Sequence, residues 1–273
     1  MERDGRMLRR TKRIGKSLLR PLMSPWLTRR RIVADLRTLG LEPDGIALVH
    51  SSLSALGFVV GGAHTVIDAL REILGPRGTL LLPTHSWEVM ETGCRVFDVR
   101  QTPSCVGTIT EKFRAMHGSM RSLHPTHSVA AMGPQAAWIV ADHDQCTTPC
   151  GEGTPYDKAL SYDCQILFLG TGLESNTAYH TVEALTNASY LLGEDVDTFT
   201  LIDEQGESRL AKVRRHRPRI ERRFTQWEDL LVEEGIVKRG LVGRARTLLL
   251  RGRPFREFML QKLAREPRFL IAS

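Results

Sequence analysis

The chain has 273 residues, 41% of them apolar and 25% charged, a composition typical of a globular protein. No apolar run approaches the ~18 residues that a membrane-spanning helix needs. Five scattered cysteines favour free thiols in a reducing compartment over a disulfide framework. The basic start of the sequence lacks the apolar core of a secretory signal, so we expect a cytoplasmic protein.

The net charge of +7 is distributed unevenly along the chain. Residues 1–31 carry eleven Lys and Arg against two acids, and residues 208–223 carry eight against one. Residues 32–207 carry nine Lys and Arg against 22 acids. An acidic segment suits a cationic substrate, because it raises the local concentration of the opposite ion. Acids that are simply solvated are the open alternative.

Residues 1–31 are predicted to form a basic tail, and residues 32–273 a single domain. Apolar residues such as Leu18, Leu19 and Trp26 lie among the basic ones, so the tail could make a weak contact with an anionic membrane surface. A solvated tail leading into the first helix is the favoured alternative. Nucleic-acid binding is not expected, because no binding module accompanies the tail.

Helices and strands alternate between residues 29 and 188. Helices are predicted over 29–40, 64–75, 103–116 and 177–188, and strands over 45–53, 78–84, 128–133 and 165–170. This alternation predicts an α/β sheet with helices on its faces. Residues 190–224 are predicted to be polar and irregular, apart from a hairpin turn near Asp203 and Gly206. Residues 224–235 and the last 30 residues are predicted to be helical.

His180 and Glu183 lie three residues apart in a predicted helix, which places them on one face. An imidazole that titrates near neutrality beside a carboxylate can remove a proton from an attacking amine. Pairs with this spacing are also common on solvated helix surfaces. The spacing alone leaves both interpretations open.

Residues 50–70, HSSLSALGFVVGGAHTVIDAL, run from a strand through two serines to two glycines that open a helix. Such a segment presents hydroxyls and N–H groups to a phosphate or to the amides of pantetheine. A helix start with glycines for the turn is the alternative. The segment lacks the GxGxxG, Walker and GxSxG patterns, which disfavours a dinucleotide site, a P-loop and a serine hydrolase.

Two further segments carry candidate binding groups. Ser104 is predicted to cap the helix that carries Glu111. Arg121, Ser122 and His124 precede a buried strand, where they could meet a phosphate or a reacting carbonyl.

No metal site is predicted. His124 and His127 have no further ligand at matching spacing, and Cys146 with Cys150 lacks a second pair.

Seven segments follow one another in order along the chain: HSSLSALGFVVGGAHTVIDAL, GTLLLPTHSW, FDVRQTPSCVGTITEKFR, RSLHPTHSVAAMG, GEGTPYDKAL, ILFLG and Thr177-x-x-His180-x-x-Glu183. Together they resemble the aminoglycoside 3-N-acetyltransferase family, from about residue 32 to the C-terminus. The resemblance implies acetyl transfer from acetyl-coenzyme A to an amine of an amino sugar. It also implies a central mixed sheet flanked by helices, distinct from the common N-acetyltransferase fold. The basic run SRLAKVRRHRPRIERR matches least well.

With this resemblance, His180 is expected to be the general base, and Glu183 to orient its ring or to bind a second ammonium of the substrate. The residues expected to hold the coenzyme are Ser51, Ser52, Gly61, Gly62, Ser104, Val106, Gly107, Arg121 and Ser122, with Arg121 on a phosphate. Those expected on the acceptor side are Trp87, Glu88, Asp98 and Glu152. Direct transfer needs no metal and no covalent nucleophile, so the cysteines need no role.

Two other functions stay open at this point. One is N-acylation of a nucleotide-linked amino sugar for surface polysaccharide, which the basic run at 208–223 would favour because a nucleotide is anionic. The other is a basic protein that binds a membrane or nucleic-acid surface, with the motif residues serving structure alone. The acceptor, the regiochemistry and the oligomeric state are not predicted.

Overall fold

The computed structural model describes residues 26–146 and 148–272. The strands in these ranges are β1 (Ile46–Ser51), β2 (Thr79–Pro83), β3 (Val96–Asp98), β4 (Met120–Arg121), β5 (Val129–Met132), β6 (Gln165–Leu169), β7 (Leu192–Ile202), β8 (Ser208–His216), β9 (Val237–Val242) and β10 (Ala245–Arg251). The helices are α1 (Arg29–Leu39), α2 (Leu53–Leu56), α3 (Gly62–Leu74), α4 (Trp87–Glu91), α5 (Thr108–Arg114), α6 (Ala136–Val140), α7 (Pro155–Ser161), α8 (Ala178–Leu185), α9 (Glu228–Glu233) and α10 (Gly252–Arg265). None of these helices is long and apolar enough to cross a membrane.

The folded chain begins before residue 32. Thr28 caps α1 with its hydroxyl, and the helix ends at Gly40, whose φ of 100° suits glycine. Leu27 is buried and forms a β-bridge with Val59. The last residues of the expected tail therefore belong to the domain. Residues 1–25, with the expected membrane contact, lie outside the described residues.

Seven strands form the central sheet, in the order β4-β5-β2-β1-β6-β10-β9. β2, β1 and β6 run parallel in its middle, while the other neighbouring pairs are antiparallel. The three parallel strands are apolar and almost wholly buried, because helices cover both faces. One apolar layer includes Leu36 and Ile67 from α1 and α3, and the other includes Tyr156 and Tyr179 from α7 and α8. The expected α/β fold with a mixed sheet is confirmed.

The three parallel strands bring their carboxyl ends to one edge of the sheet. Ser51, Pro83 and Leu169 are the last residues of β1, β2 and β6. In α/β sheets, ligands bind outside the carboxyl ends of parallel strands. This edge carries the candidate site.

A second sheet, in the order β3-β7-β8, stands where the sequence predicted irregular chain. The predicted turn is present, since the Asp203 carboxylate accepts hydrogen bonds from the amides of Gln205 and Glu207. The long strands on either side alternate buried and exposed side chains, with Phe199 and Leu201 facing a small core. The last 30 residues are also not all helical, because they include β10 ahead of α10.

Candidate active site

A cavity of about 350 Å³ lies at the carboxyl ends of β1, β2 and β6. We call it the serine cavity, after Ser51. The residues that line it are Val49, His50, Ser51, Pro83, His85, Trp87, Val106, Thr110, His127, Thr171, Glu174, Ser175, Asn176, Thr177 and His180. Three buried polar atoms on its wall have no hydrogen-bond partner among the described residues: His50 Nε2, Ser51 Oγ and Asn176 Nδ2. Unpaired buried polar atoms on a cavity wall are suited to binding a polar ligand.

A larger cavity of about 700 Å³ adjoins the first. We call it the arginine cavity. The residues that line it are Trp87, Glu91, Thr126, His127, Gly193, Asp195, Asp197, Arg215, His216, Arg217, Pro218, Arg219 and Arg222. Trp87 and His127 line both cavities. Two ligands bound side by side would therefore meet at these two residues.

His180 lies on the wall of the serine cavity, close to the arginine cavity. Its ring centroid is 4.4 Å from that of His216, which lines the arginine cavity. Nδ1 of His180 is 2.7 Å from Oε2 of Glu183, whose side chain is fully buried, while the His180 side chain is 19% exposed. Because the carboxylate accepts at Nδ1, Nε2 is left as the acceptor nitrogen of a neutral ring. The pair lies on α8 with the predicted i, i+3 spacing.

Histidines continue from His180 in a chain of ring contacts. The ring centroids of His216 and His127 are 4.7 Å apart, and those of His127 and His85 are 4.6 Å apart. Burial lowers the pKa of His85 to about 3 and holds the pKa values of His127 and His216 well below their usual range. Burial likewise lowers the pKa of His50, which stacks on Phe168, to about 3. At neutral pH these four rings are uncharged.

Of the residues expected to hold the coenzyme, Ser51 and Val106 line the serine cavity. Gly107 lies beside Ser51, since a Cβ at Gly107 would be 3.8 Å from the Ser51 carbonyl oxygen. Ser52 follows on the turn into α2, and its hydroxyl oxygen is 3.3 Å from that of Ser54. The structure thus brings part of the predicted set to one place.

The other expected coenzyme residues stand apart from both cavities. Gly61 and Gly62 form the left-handed turn that opens α3. Ser104 does not cap α5, whose cap position is Gly107; the Ser104 amide instead donates to Glu111. The Ser122 hydroxyl pairs with His143 in the interior.

Arg121 is a structural residue, which corrects its expected role as the phosphate partner. It is buried, and all three of its guanidinium nitrogens donate hydrogen bonds within the protein. Its partners include both the hydroxyl and the carbonyl oxygen of Thr84, the Ser128 hydroxyl and the Thr102 carbonyl oxygen. Its guanidinium also lies over the Phe97 ring, at 4.8 Å from the centroid. Burial lowers the pKa of Arg121 to about 9. The side chain ties the end of β2 to the second sheet and lines neither cavity.

Of the expected acceptor residues, only Trp87 lines a cavity. Asp98 closes a tight turn by accepting hydrogen bonds from the amides of Arg100 and Gln101. Glu88 and Glu152 are exposed and belong to neither lining. The acids that do lie at the two cavities are others of the middle segment: Glu91, Glu174, Asp195 and Asp197.

Sequence reasoning missed His216, Arg222 and Asn176. Arg222 lies next to the His180–Glu183 pair, with Nε 3.7 Å from the Glu183 carboxylate. His216 and Arg222 belong to the basic run of the sequence. Their position near α8 depends on the hairpin of β7 and β8, which the sequence did not predict. Asn176 sits four residues before His180, and its side-chain oxygen accepts a hydrogen bond from the Ala178 amide. Asparagine at a helix start is a recognisable signal that could have found it.

Three of the missed or dismissed residues have the chemistry of metal ligands. Ligand atoms of His127, Cys150 and His216 lie within 4.8 Å of one another. Ligand atoms around a tetrahedral zinc lie about 3.5 Å apart, which follows from zinc–ligand bonds of about 2.0–2.3 Å. The trio comes from three distant parts of the chain, so no sequence spacing could have revealed it.

The fold is shared with solved structures. A histidine-to-alanine variant of the aminoglycoside acetyltransferase AAC(3)-IVa, in complex with a gentamicin, superposes with a TM-score of 0.80 at 28% identity. The alignment covers 92% of this chain and 93% of that one. The class that the fold defines is that of the acyltransferases built on this mixed sheet.

Sequence comparison then gives the family. The aminoglycoside 3-N-acetyltransferase family model matches residues 48–264. Aminoglycoside N(3)-acetyltransferase IV of Salmonella sp is 31% identical over 86% of this chain and 87% of that protein. Aminoglycoside N(3)-acetyltransferase IX of Micromonospora chalcea is 33% identical, over 59% of this chain and 63% of that protein. The chain belongs to the aminoglycoside 3-N-acetyltransferase family, a family of acyltransferase enzymes, and the resemblance found in its sequence is confirmed.

Proposed function

We propose that this protein transfers an acetyl group from acetyl-coenzyme A directly to an amine of an aminoglycoside or a related amino sugar, with His180 as the general base. The observation that carries the proposal is the 2.7 Å contact between His180 Nδ1 and the buried Glu183 carboxylate. That contact leaves Nε2 free to accept a proton at the place where two cavities meet. Membership in a family of acyltransferases supports an enzyme over a basic surface-binding protein.

The serine cavity fits the pantetheine arm of the coenzyme. Its wall offers hydroxyl, amide and imidazole atoms without partners, and Glu174 is its one acid. Hydrogen bonds to amides suit such a wall, whereas phosphates do not. We place the phosphates outside it, near the turn at Ser52 and Gly57, where Arg244 lies against Gly57 and makes no ion pair among the described residues. We keep Ser52, Gly61 and Gly62 as proposed coenzyme-binding residues near this turn.

Acetyl-coenzyme A, when bound, supplies the acetyl group as a thioester. His180 Nε2 takes the proton that the acceptor amine loses as its nitrogen forms a bond to the carbonyl carbon and the carbon–sulfur bond breaks. His180 can then return this proton to the departing sulfur. Glu183 holds the ring in one tautomer and stabilises the imidazolium while it carries the proton.

The test is thiol release from acetyl-coenzyme A with a panel of amines that includes kanamycin and simple amino sugars. We expect release that depends on the amine, with mass spectrometry showing one acetyl group on the product. A reaction without amine is the control for hydrolysis. Glu183→Gln should lower kcat about tenfold, since it replaces a charge-assisted hydrogen bond by a neutral one. Calorimetry that detects no binding of coenzyme A at millimolar concentration would sink the proposal.

A further inference from the structure

The arginine cavity has a wall that is unusual for an enzyme that binds a polycation. Four guanidinium groups face it, from Arg215, Arg217, Arg219 and Arg222. Three carboxylates face it as well, from Glu91, Asp195 and Asp197. Which of these charges are already neutralised decides what the cavity can hold.

Two of the four arginines already lie within 2.8 Å of an acceptor in the protein. Arg215 lies 2.5 Å from the carboxylate of Asp197, and Arg95 holds the other oxygen of that carboxylate at 3.1 Å. Arg217 donates to the Leu192 carbonyl oxygen at 2.8 Å and lies 3.5 Å from the exposed Glu194. These contacts brace the hairpin of β7 and β8. They leave little capacity for a ligand.

Arg219 and Arg222 are different. Arg222 forms a long ion pair with Glu183, at 3.7 Å from Nε, and its Nη1 donates to the Ile220 carbonyl oxygen at 3.5 Å. Its Nε and Nη2 are nevertheless buried without a hydrogen-bond partner in the described ranges. A buried guanidinium with unmet donors is costly unless a ligand supplies the acceptors. Arg219 is exposed, forms no ion pair among the described residues, and has a φ of 61°. An arginine in this left-handed conformation costs of order 1 kcal/mol.

We propose that the acceptor of this enzyme is an amine that also carries an anionic group, a phosphate or a carboxylate, and that Arg219 and Arg222 hold this group in the arginine cavity. The proposal rests on the proposed acetyl transfer and names its substrate class. Guanidinium groups bind both anions through paired hydrogen bonds. With its anion held there, the acceptor can direct its amine toward His180, because Arg222 adjoins the carboxylate that holds that ring. Asp195 and Glu91, which lack ion pairs in the described chain, can take a second ammonium.

The coenzyme's own phosphates are the competing occupant of these arginines. Arg222 lies beside the Glu183–His180 pair, where the thioester must react. The pantetheine arm separates the thioester from the pyrophosphate, so a coenzyme whose phosphates lay on Arg222 could not place its thioester there. The acceptor is therefore the better occupant.

The experiment uses the full-length protein and matched amines. Glucosamine, glucosamine 6-phosphate and 2-amino-2-deoxyglucuronate share one ring and differ in charge, and kanamycin serves as the polycation. We expect kcat/KM for at least one anionic amine to exceed that for glucosamine by about tenfold or more. The phosphate and carboxylate members show which anion is preferred. Added salt should reduce the ratio.

Arg219→Gln and Arg222→Gln should each bring this ratio toward one, mainly through KM for the anionic amine, without weakening the binding of coenzyme A. Arg214→Gln is the matched control. It removes the same charge from the nearby strand β8, but Arg214 donates to the Gly193 carbonyl oxygen and does not line the cavity. If Arg222→Gln fails to fold, Arg219→Glu takes its place and should reverse the preference.

The outcomes separate the two proposals. If kanamycin or glucosamine is acetylated while the anionic amines are not preferred, the anion site is wrong and the proposed function stands. Equal ratios in the wild type and both arginine variants would also overturn it. If no amine releases thiol, calorimetry on the coenzyme A complex decides. Glucosamine 6-phosphate that binds no more tightly than glucosamine would then end this proposal as well.

Discussion

The serine cavity and the arginine cavity differ in how they are built for binding. The first has uncharged groups with unmet hydrogen bonds and one acid, Glu174. The second has seven formal charges on its wall. Among the described residues, Arg219 forms no ion pair, and Arg222, beside Glu183, keeps two buried nitrogens without a hydrogen-bond partner. We therefore propose that the serine cavity recognises the acetyl donor by its shape and its amides. The arginine cavity would recognise the acceptor by its charge. Between them stand histidines whose rings are uncharged at neutral pH, so they add no charge to either cavity.

The largest expected effect comes from the residue at the junction. His180→Ala should lower kcat about 100-fold or more, the usual scale for a positioned general base. Coenzyme A should still bind, since the serine cavity stays intact. His64→Ala, an exposed histidine on α3, is the control. Normal turnover in a folded His180→Ala protein would contradict its role as the base.

The second effect concerns the neutral histidines. The folded protein holds the pKa of His50 near 3, whereas the unfolded chain has a value near 6.5. The unfolded state therefore binds more protons between these values, so stability is complete above about pH 6.5 and falls as the pH drops toward 3. Each such histidine contributes a slope of about 1.4 kcal/mol per pH unit in this window.

Urea unfolding at pH 4 to 7 measures that slope. His50→Asn should reduce it by about one proton, and the exposed His64→Asn should leave it unchanged. Because the slope is compared, a general loss of stability in His50→Asn does not disturb the result. An unchanged slope would mean that His50 is protonated in the folded state.

A smaller effect tests the serine cavity alone. Ser51→Ala should raise KM for acetyl-coenzyme A about fivefold, as expected for the loss of one neutral hydrogen bond. KM for the acceptor should not change. Ser161→Ala, at an exposed serine that lines neither cavity, is the control. An acceptor KM that rises instead would reverse the assignment of the two cavities.

The smallest effect should be that of chelation. Activity should be complete in excess chelator, because direct transfer requires no metal and the proposed base is His180. Zinc that restores a lost activity would contradict this. In that event, Cys150→Ser should abolish the restoration, since Cys150 is the thiol of the trio with His127 and His216.

The sequence predicted what depends on neighbours along the chain. His180 and Glu183 share a helix face, and apolar runs in β1, β2 and β6 indicated a buried sheet. It could not predict what depends on distant pairing. Phe199 and Leu201 alternate with polar residues, as strand residues do, but the many charges nearby obscured the pattern. His216 lies beside His180 only because β8 pairs with β7 and runs back along it.

Arg121 shows that the sequence alone also cannot tell whether an arginine binds a ligand or the protein itself. An arginine next to Ser122 and a His-Pro pair suggested an anion site, since the sequence does not state how many acceptors will surround a guanidinium. In the structure, carbonyl and hydroxyl oxygens of Thr84, Ser128 and Thr102 occupy its donors. At Arg121 the guanidinium donors stabilise the fold. At Arg222 two of these donors have no hydrogen-bond partner among the described residues.

The return of β8 means that the two cavities draw their linings from the chain in different ways. Nine of the thirteen residues that line the arginine cavity fall between Gly193 and Arg222, on one continuous stretch of chain. The serine cavity instead draws its lining from several separate strand ends and loops. A few substitutions, or one short exchange of coding sequence, can thus alter acceptor choice while the donor site is left intact. Within such a scaffold, new acceptors are accessible by changing a single hairpin and the loop that follows it.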